Sequence, residues 1–277
     1  MGRDFARRER LREIFQDTQE FYTSDSVLSE AVETGKTKTI FYPADDYPEL
    51  TDISGIGKKL GLTLAINSRS FQAAMKFHRA MPEKKIAVLN FASSTTPGGG
   101  VFGGSGAQEE SLCRCSTLYP LISQDWLWDS YYDPNRAARD FRNNDACIYS
   151  EDVVICKSDT DYPERLPHED FAKVDVITCA APNMKYAPVN FEISESFDLH
   201  YNRARHILHV ASLHGVDIMI SGAFGCGAFR NNPDIVSQAW SKALEQYQKN
   251  FEYIIFAIYF RDYETPNFQI FSKRFNN

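Results

Sequence analysis

Between Pro97 and Gln108 the chain reads Gly98-Gly99-Gly100-Val101-Phe102-Gly103-Gly104-Ser105-Gly106-Ala107, six glycines within nine positions, and it runs directly into Glu109-Glu110. A segment stripped of Cβ atoms lets backbone N–H groups approach a ligand closely. Glycine-dense loops also serve as plain turns, so the glycines alone define no site. The carboxylates add the chemistry. Glu109 and Glu110 are followed by Ser111-Leu112-Cys113-Arg114-Cys115-Ser116-Thr117-Leu118-Tyr119 with no breaker, which places them in the first turn of a predicted helix. An anion cradle beside a candidate acid/base suits a phosphate-bearing substrate cut by proton transfer.

The rest of the chain alternates strand and helix patterns in the manner of a three-layer α/β fold. An amphipathic first helix buries Leu11, Ile14, Phe15 and Phe21 and leaves Arg7, Arg8, Arg10 and Arg12 solvated. Strands are predicted near 38–42, 62–67, 85–92, 152–156, 175–179, 216–221 and 253–260, with helices over about 70–80 and 194–214. Gly215 ends the latter helix, and Asn232-Pro233 supplies an N-cap and a first-turn proline for another. A second glycine loop, Gly222-Ala223-Phe224-Gly225-Cys226-Gly227-Ala228-Phe229, follows the 216–221 strand. Both loops therefore leave strand C-termini, where open α/β sheets bind ligands. Neither has the glycine and lysine spacing of a Rossmann or P-loop nucleotide site.

Gly98-Gly99-Gly100, seven residues, then Gln108-Glu109-Glu110 resembles the signature of the poly(ADP-ribose) glycohydrolases, macrodomain-type enzymes that cleave ribose–ribose bonds in ADP-ribose polymers. The 222–229 loop resembles that family's other glycine-rich loop. The Arg-rich N-terminus and the Asn90-Phe91-Ala92 lead-in resemble its compact microbial branch, and looser likeness runs from about Arg7 to about Phe260. The resemblance implies a three-layer α/β/α macrodomain-like fold with a mixed central sheet, with residues 1–277 as one domain carrying an N-terminal helical extension over about 1–35. It implies hydrolysis mainly from polymer ends, with release of ADP-ribose. Two other readings stay open: a hydrolase of mono-ADP-ribose on protein or nucleic acid, and a macrodomain that binds ADP-ribose without cutting it. The intact Gln108-Glu109-Glu110 counts against the second, because binding alone needs no acid there.

Adjacent carboxylates on a helix diverge by about 100° and reach a substrate from one side. They cannot straddle a bond as ordinary glycosidase pairs do, at about 5–5.5 Å or about 6.5–9.5 Å. One must then serve as acid and base in succession. By resemblance that residue is Glu110, while Glu109 holds a ribose hydroxyl. From the loops, backbone donors of Gly99, Gly100 and Val101 are expected to face the distal ribose and its phosphate, with Gly225, Cys226, Gly227 and Ala228 closing over the diphosphate and Gly98 and Gln108 in the ADP-ribose site, while Phe229 resembles the family phenylalanine that packs on the distal ribose. Gln108 is expected to fix the loop. Ser93 stands where animal members have asparagine, a departure at one ribose contact.

Composition narrows the rest. The net charge of −7 would repel a polyanion in bulk, so recognition is expected to rest on backbone donors and helix ends holding one terminal ADP-ribose. No cofactor or metal is expected: Cys113 and Cys115 are spaced poorly for zinc, and Asp159, Asp161, His168, Glu169 and Asp170 match no calcium loop and read as a solvated excursion. His78, His200, His206 and His209 are expected in core or surface roles. Cys147, Cys156 and Cys179 read as small buried hydrophobes. The N-terminus lacks the apolar core of a secretion signal, so a cytoplasmic compartment is expected, or the nucleus in a eukaryotic host. The expected partners are ADP-ribose and ADP-ribosylated proteins, with no nucleic acid, no membrane and a monomeric state.

Overall fold

A computed structural model describes residues 2–50 and 57–276. In chain order it has α1 (Gly2–Ser24), α2 (Ser26–Lys38), β1 (Ile40–Tyr42), β2 (Leu62–Ile66), α3 (Ser70–Ala80), β3 (Ile86–Phe91), α4 (Gln108–Cys115), α5 (Leu118–Ile122), α6 (Asp125–Leu127), α7 (Asp133–Ala138), β4 (Cys147–Ile155), β5 (Ala172–Cys179), α8 (Ile193–Leu213), β6 (Ile218–Ser221), α9 (Pro233–Tyr247), β7 (Tyr253–Ala257) and α10 (Pro266–Phe275). Short 3₁₀ turns at Val101–Gly103 and elsewhere join them. None of the described helices is long and apolar enough to cross a membrane.

The seven strands form one mixed sheet in the order β1-β4-β5-β3-β6-β7-β2. β5, β3, β6, β7 and β2 run parallel, while β4 and β1 are antiparallel to their neighbours. The period-two alternation of β3 shows why helices cover both faces. Ile86 and Val88 join a core with Phe15, Phe71, Leu112 and Leu121 from α1, α3, α4 and α5. Ala87 and Leu89 join the opposite core, with Ile207 of α8, Trp240 of α9 and Phe271 of α10. A strand buried on both faces needs this near-continuous apolar run.

Several boundaries depart from the sequence expectation. The helix opened by the glutamates stops at Cys115 instead of running on to Tyr119, because the end of β4 captures its backbone. Cys156 and Lys157 N–H donate to Cys115 O, Thr117 N–H donates to Val154 O, and Ser116 is extended and bridged to Ile155. β4 begins at Cys147, not near Asp152, and is interrupted by a bulge between Ser150 and Val153 where Asp152 adopts φ 56°. Sequence periodicity also missed α10, which Thr265 caps by accepting from Phe268 N–H. β3 sits where the chain crosses from β5 on one side to β6 on the other, so the crevice at its C-terminal end is a topological switch point.

Candidate active site

A cleft of about 1070 Å³ opens at the C-terminal ends of the central strands, just above the usual range for small-molecule sites. Glu109, Glu110, Gln108, Gly99 and Gly100 line it from the first glycine loop and α4, and Gly225, Gly227, Ala228 and Phe229 from the second. The structure thus brings together two segments more than a hundred residues apart. Gly98, Val101 and Cys226 do not line the cleft. Val101 is fully buried in the core beneath the loop.

The first loop also uses its own N–H groups, contrary to the expectation that those of Gly99, Gly100 and Val101 face a ligand. Gly99 N–H donates to Thr96 O (3.0 Å) and Val101 N–H to Gly98 O (3.1 Å). Gly100 N–H donates to Glu110 Oε1 at 2.9 Å. This loop therefore shapes the carboxylates more than it presents free donors. The second loop is the better cradle, since no described residue accepts from the N–H groups of Gly225, Gly227, Ala228 or Phe229.

Both glutamates are buried, at 3% exposure for Glu109 and 7% for Glu110, and both converge on Gly99. A Cβ there would sit 2.7 Å from Glu110 Oε1 and 2.9 Å from Glu109 Oε2, and Gly99 also holds φ +56°. Glu109 is tied at both oxygens: Ser93 N–H donates to Oε2 (2.8 Å), and Asn90 Nδ2 lies 3.5 Å from Oε1. Glu110 keeps one oxygen, Oε2, with no hydrogen-bond partner among the described residues. Burial pushes the Glu109 carboxyl up to about 8, against the Ser93 N–H and with the charge of Glu110 adding to the rise. Near neutral pH Glu109 therefore keeps its proton.

Gln108 fixes the end of β3, not the glycine loop. Its Oε1 accepts from Phe91 N–H, and its Nε2 donates to Leu89 O and to Ser70 Oγ at the start of α3. Ser93 N–H reaches Glu109 Oε2, and the Ser93 hydroxyl accepts from the N–H groups of Thr95 and Thr96 within its own turn. Phe229 is half-buried and packs against the core around α9 while lining the cleft.

Three positions have roles here that the sequence reading does not give them. Asn90, an apparent interruption of an apolar strand, bridges Glu109 and Thr178. Asn231, 3% exposed, donates from Nδ2 to Pro182 O and Gly225 O and accepts on Oδ1 from His200 Nε2. Burial lowers His200 to about 4, so it is neutral and its Nε2 carries the proton. Asp159 was read as part of a solvated loop, but it is 3% exposed and lines the cleft. It accepts from Phe71 N–H at the α3 N-terminus and from Ser111 Oγ on α4, and burial raises its carboxyl while the neighbouring Arg69 opposes the rise. Asp161 pairs with Arg69 and Arg261. Among the described residues no three histidine, cysteine or acidic side chains cluster as a metal site.

Fold and site together define a macrodomain-like α/β domain with a cleft between two glycine loops and a buried carboxylate pair on its wall. Residues 11–158 match the family described as "Microbial-type PARG, catalytic domain". The chain belongs to that family, the compact microbial-type poly(ADP-ribose) glycohydrolases. Among solved structures it is similar to the poly(ADP-ribose) glycohydrolase of Thermomonospora curvata bound to the inhibitor ADP-HPD, with 26% identity, a TM-score of 0.81, and coverage of 96% of this chain and 99% of that one. It is also similar to the Deinococcus radiodurans enzyme in complex with ADP-ribose, with 29% identity, a TM-score of 0.79, and coverage of 88% of this chain and 96% of that one. No curated protein matches the sequence.

Proposed function

We propose that the chain hydrolyses ribose–ribose O-glycosidic bonds of poly(ADP-ribose) from polymer ends and releases ADP-ribose, with Glu110 as acid and then base. The observation that carries this reading is the asymmetry of the pair at Gly99. Protein donors occupy both oxygens of Glu109, whereas Glu110 retains one that none of the described residues engages. Glu109 holds a ribose hydroxyl, and Glu110 protonates the departing ribose oxygen and then deprotonates the attacking water. The open N–H groups of the second loop receive the diphosphate. Phe229 holds the distal ribose so that its reacting carbon stays near the carboxylates. The developing oxocarbenium character is stabilised by the same local negative charge.

The test is Glu110→Gln beside Glu109→Gln, assayed for ADP-ribose release and for ADP-ribose binding. Glu110→Gln should lose about 10²–10⁴-fold or more in rate with affinity retained. Glu109→Gln should also slow turnover. Substantial polymer cleavage by Glu110→Gln contradicts the assignment.

A further inference from the structure

Arg114, one helical turn beyond Glu110 on α4, is only 2% exposed, and its Nε has no partner among the described residues. Burying a guanidinium with its donors incompletely satisfied is costly. What Arg114 does hold is specific. Its Nη1 donates to Ser105 O at 2.8 Å. Ser105 N–H in turn donates to Gly100 O at 3.1 Å, and Gly100 N–H donates to Glu110 Oε1 at 2.9 Å. The path starts and ends on α4 and closes a ring through the glycine loop.

The first helix braces the same ring from outside. Thr18 Oγ1 donates to Arg114 O at 2.7 Å. The Arg7 guanidinium lies against Gly106, 2.7 Å from where a Cβ would stand, and a Cβ on Gly104 would collide with Arg8 O. These neighbours leave the 104–106 backbone little room to shift.

We propose that Arg114 is a positioning residue for Glu110: by anchoring Ser105 O it fixes the Gly100 N–H, and so fixes the carboxylate that this N–H grips. This rests on the reading of Glu110 as the acid. Arg114 acts through the glycine loop, so its loss releases the orientation of Glu110 without removing the second loop's diphosphate cradle. A guanidinium suits the place because its rigid plane fixes the direction in which Nη1 donates to Ser105 O, which a flexible ammonium reproduces only in part.

The test uses the full chain with Arg114→Gln, Arg114→Lys and Glu110→Gln, measuring kcat and KM on poly(ADP-ribose), ADP-ribose affinity by calorimetry, and the melting temperature. Misplacing a catalytic group by about 1 Å costs about 10²-fold, so Arg114→Gln should lose about that much in kcat with KM and ADP-ribose affinity within about threefold of wild type. Arg114→Lys should recover part of the loss. Wild-type kcat in a folded Arg114→Gln overturns the proposal, as does a loss of affinity parallel to the loss of rate. Should Arg114→Gln fail to fold, Arg114→Lys decides: reduced kcat at unchanged affinity supports the role, and wild-type kcat overturns it. A fully active Glu110→Gln would instead remove the reading of Glu110 itself, whatever Arg114 does.

Discussion

Gly99 is where backbone geometry and chemistry meet. Its φ of +56° disfavours any side chain, and the space a Cβ would take is filled by Glu110 Oε1 and Glu109 Oε2. Gly99→Ala should therefore push the two carboxylates apart and cost about 10²-fold or more in kcat, while the second loop still binds ADP-ribose. Steady-state kinetics with a parallel binding isotherm separate the two effects, and wild-type kcat would show that the carboxylates need not converge there. Glu109 carries a second consequence, in stability. Its carboxyl stands at about 8 in the folded chain against a reference value of 4.5, so the native state holds a proton that the unfolded state releases. That contribution to stability is fully present below about pH 4.5 and is lost as pH rises to about 8. Glu109→Gln removes the titration, so relative to wild type it should gain in melting temperature on going from pH 5 to pH 8.5. A difference independent of pH would contradict the shift.

At the scale of elements, the motifs and their strand-end placement were legible because they depend on local pattern: a glycine loop, a carboxylate pair, an Asn-Pro helix start. What stayed hidden depends on tertiary partners. Nothing in Cys115-Ser116-Thr117 announces that β4 will seize its backbone, and Asp159 looked solvated because its acceptors' partners, Phe71 N–H and Ser111 Oγ, lie about fifty to ninety residues away. The free N–H groups of the second loop and the consumed ones of the first have the same glycine signature and differ only in how each loop folds on itself. α10 was missed because its apolar positions are interrupted by polar ones, yet it seals one sheet edge. Phe271 is fully buried against Phe256, and Asn276 Oδ1 accepts from Ala65 N–H at 2.7 Å while its Nδ2 donates to Ala65 O at 2.9 Å, completing the edge strand β2. Phe271→Ala should destabilise the fold by about 3–5 kcal/mol, read from urea unfolding. A change under about 1 kcal/mol would show that α10 is docked loosely.

For the whole molecule, the net charge of −7 and the cleft's own lining tell one story. Arg69, Arg136 and Arg139 face Glu109, Glu110, Asp140 and Asp159 around the cleft, so no positive field gathers there to draw in a long polyanion. In the proposed function recognition rests on fixed backbone dipoles acting on one diphosphate at short range, which favours a chain end over a polymer interior. The bond joining the last unit to protein lacks the ribose leaving group that Glu110 protonates in the proposed mechanism. The most direct measurement is to digest automodified poly(ADP-ribose) protein with wild type and with Glu110→Gln and to resolve the products by size over time. Wild type should release monomeric ADP-ribose from the first time points and leave one unit on the protein, and Glu110→Gln should release almost none. Early long oligomers, removal of the last protein-linked unit, or comparable release by Glu110→Gln would contradict the account.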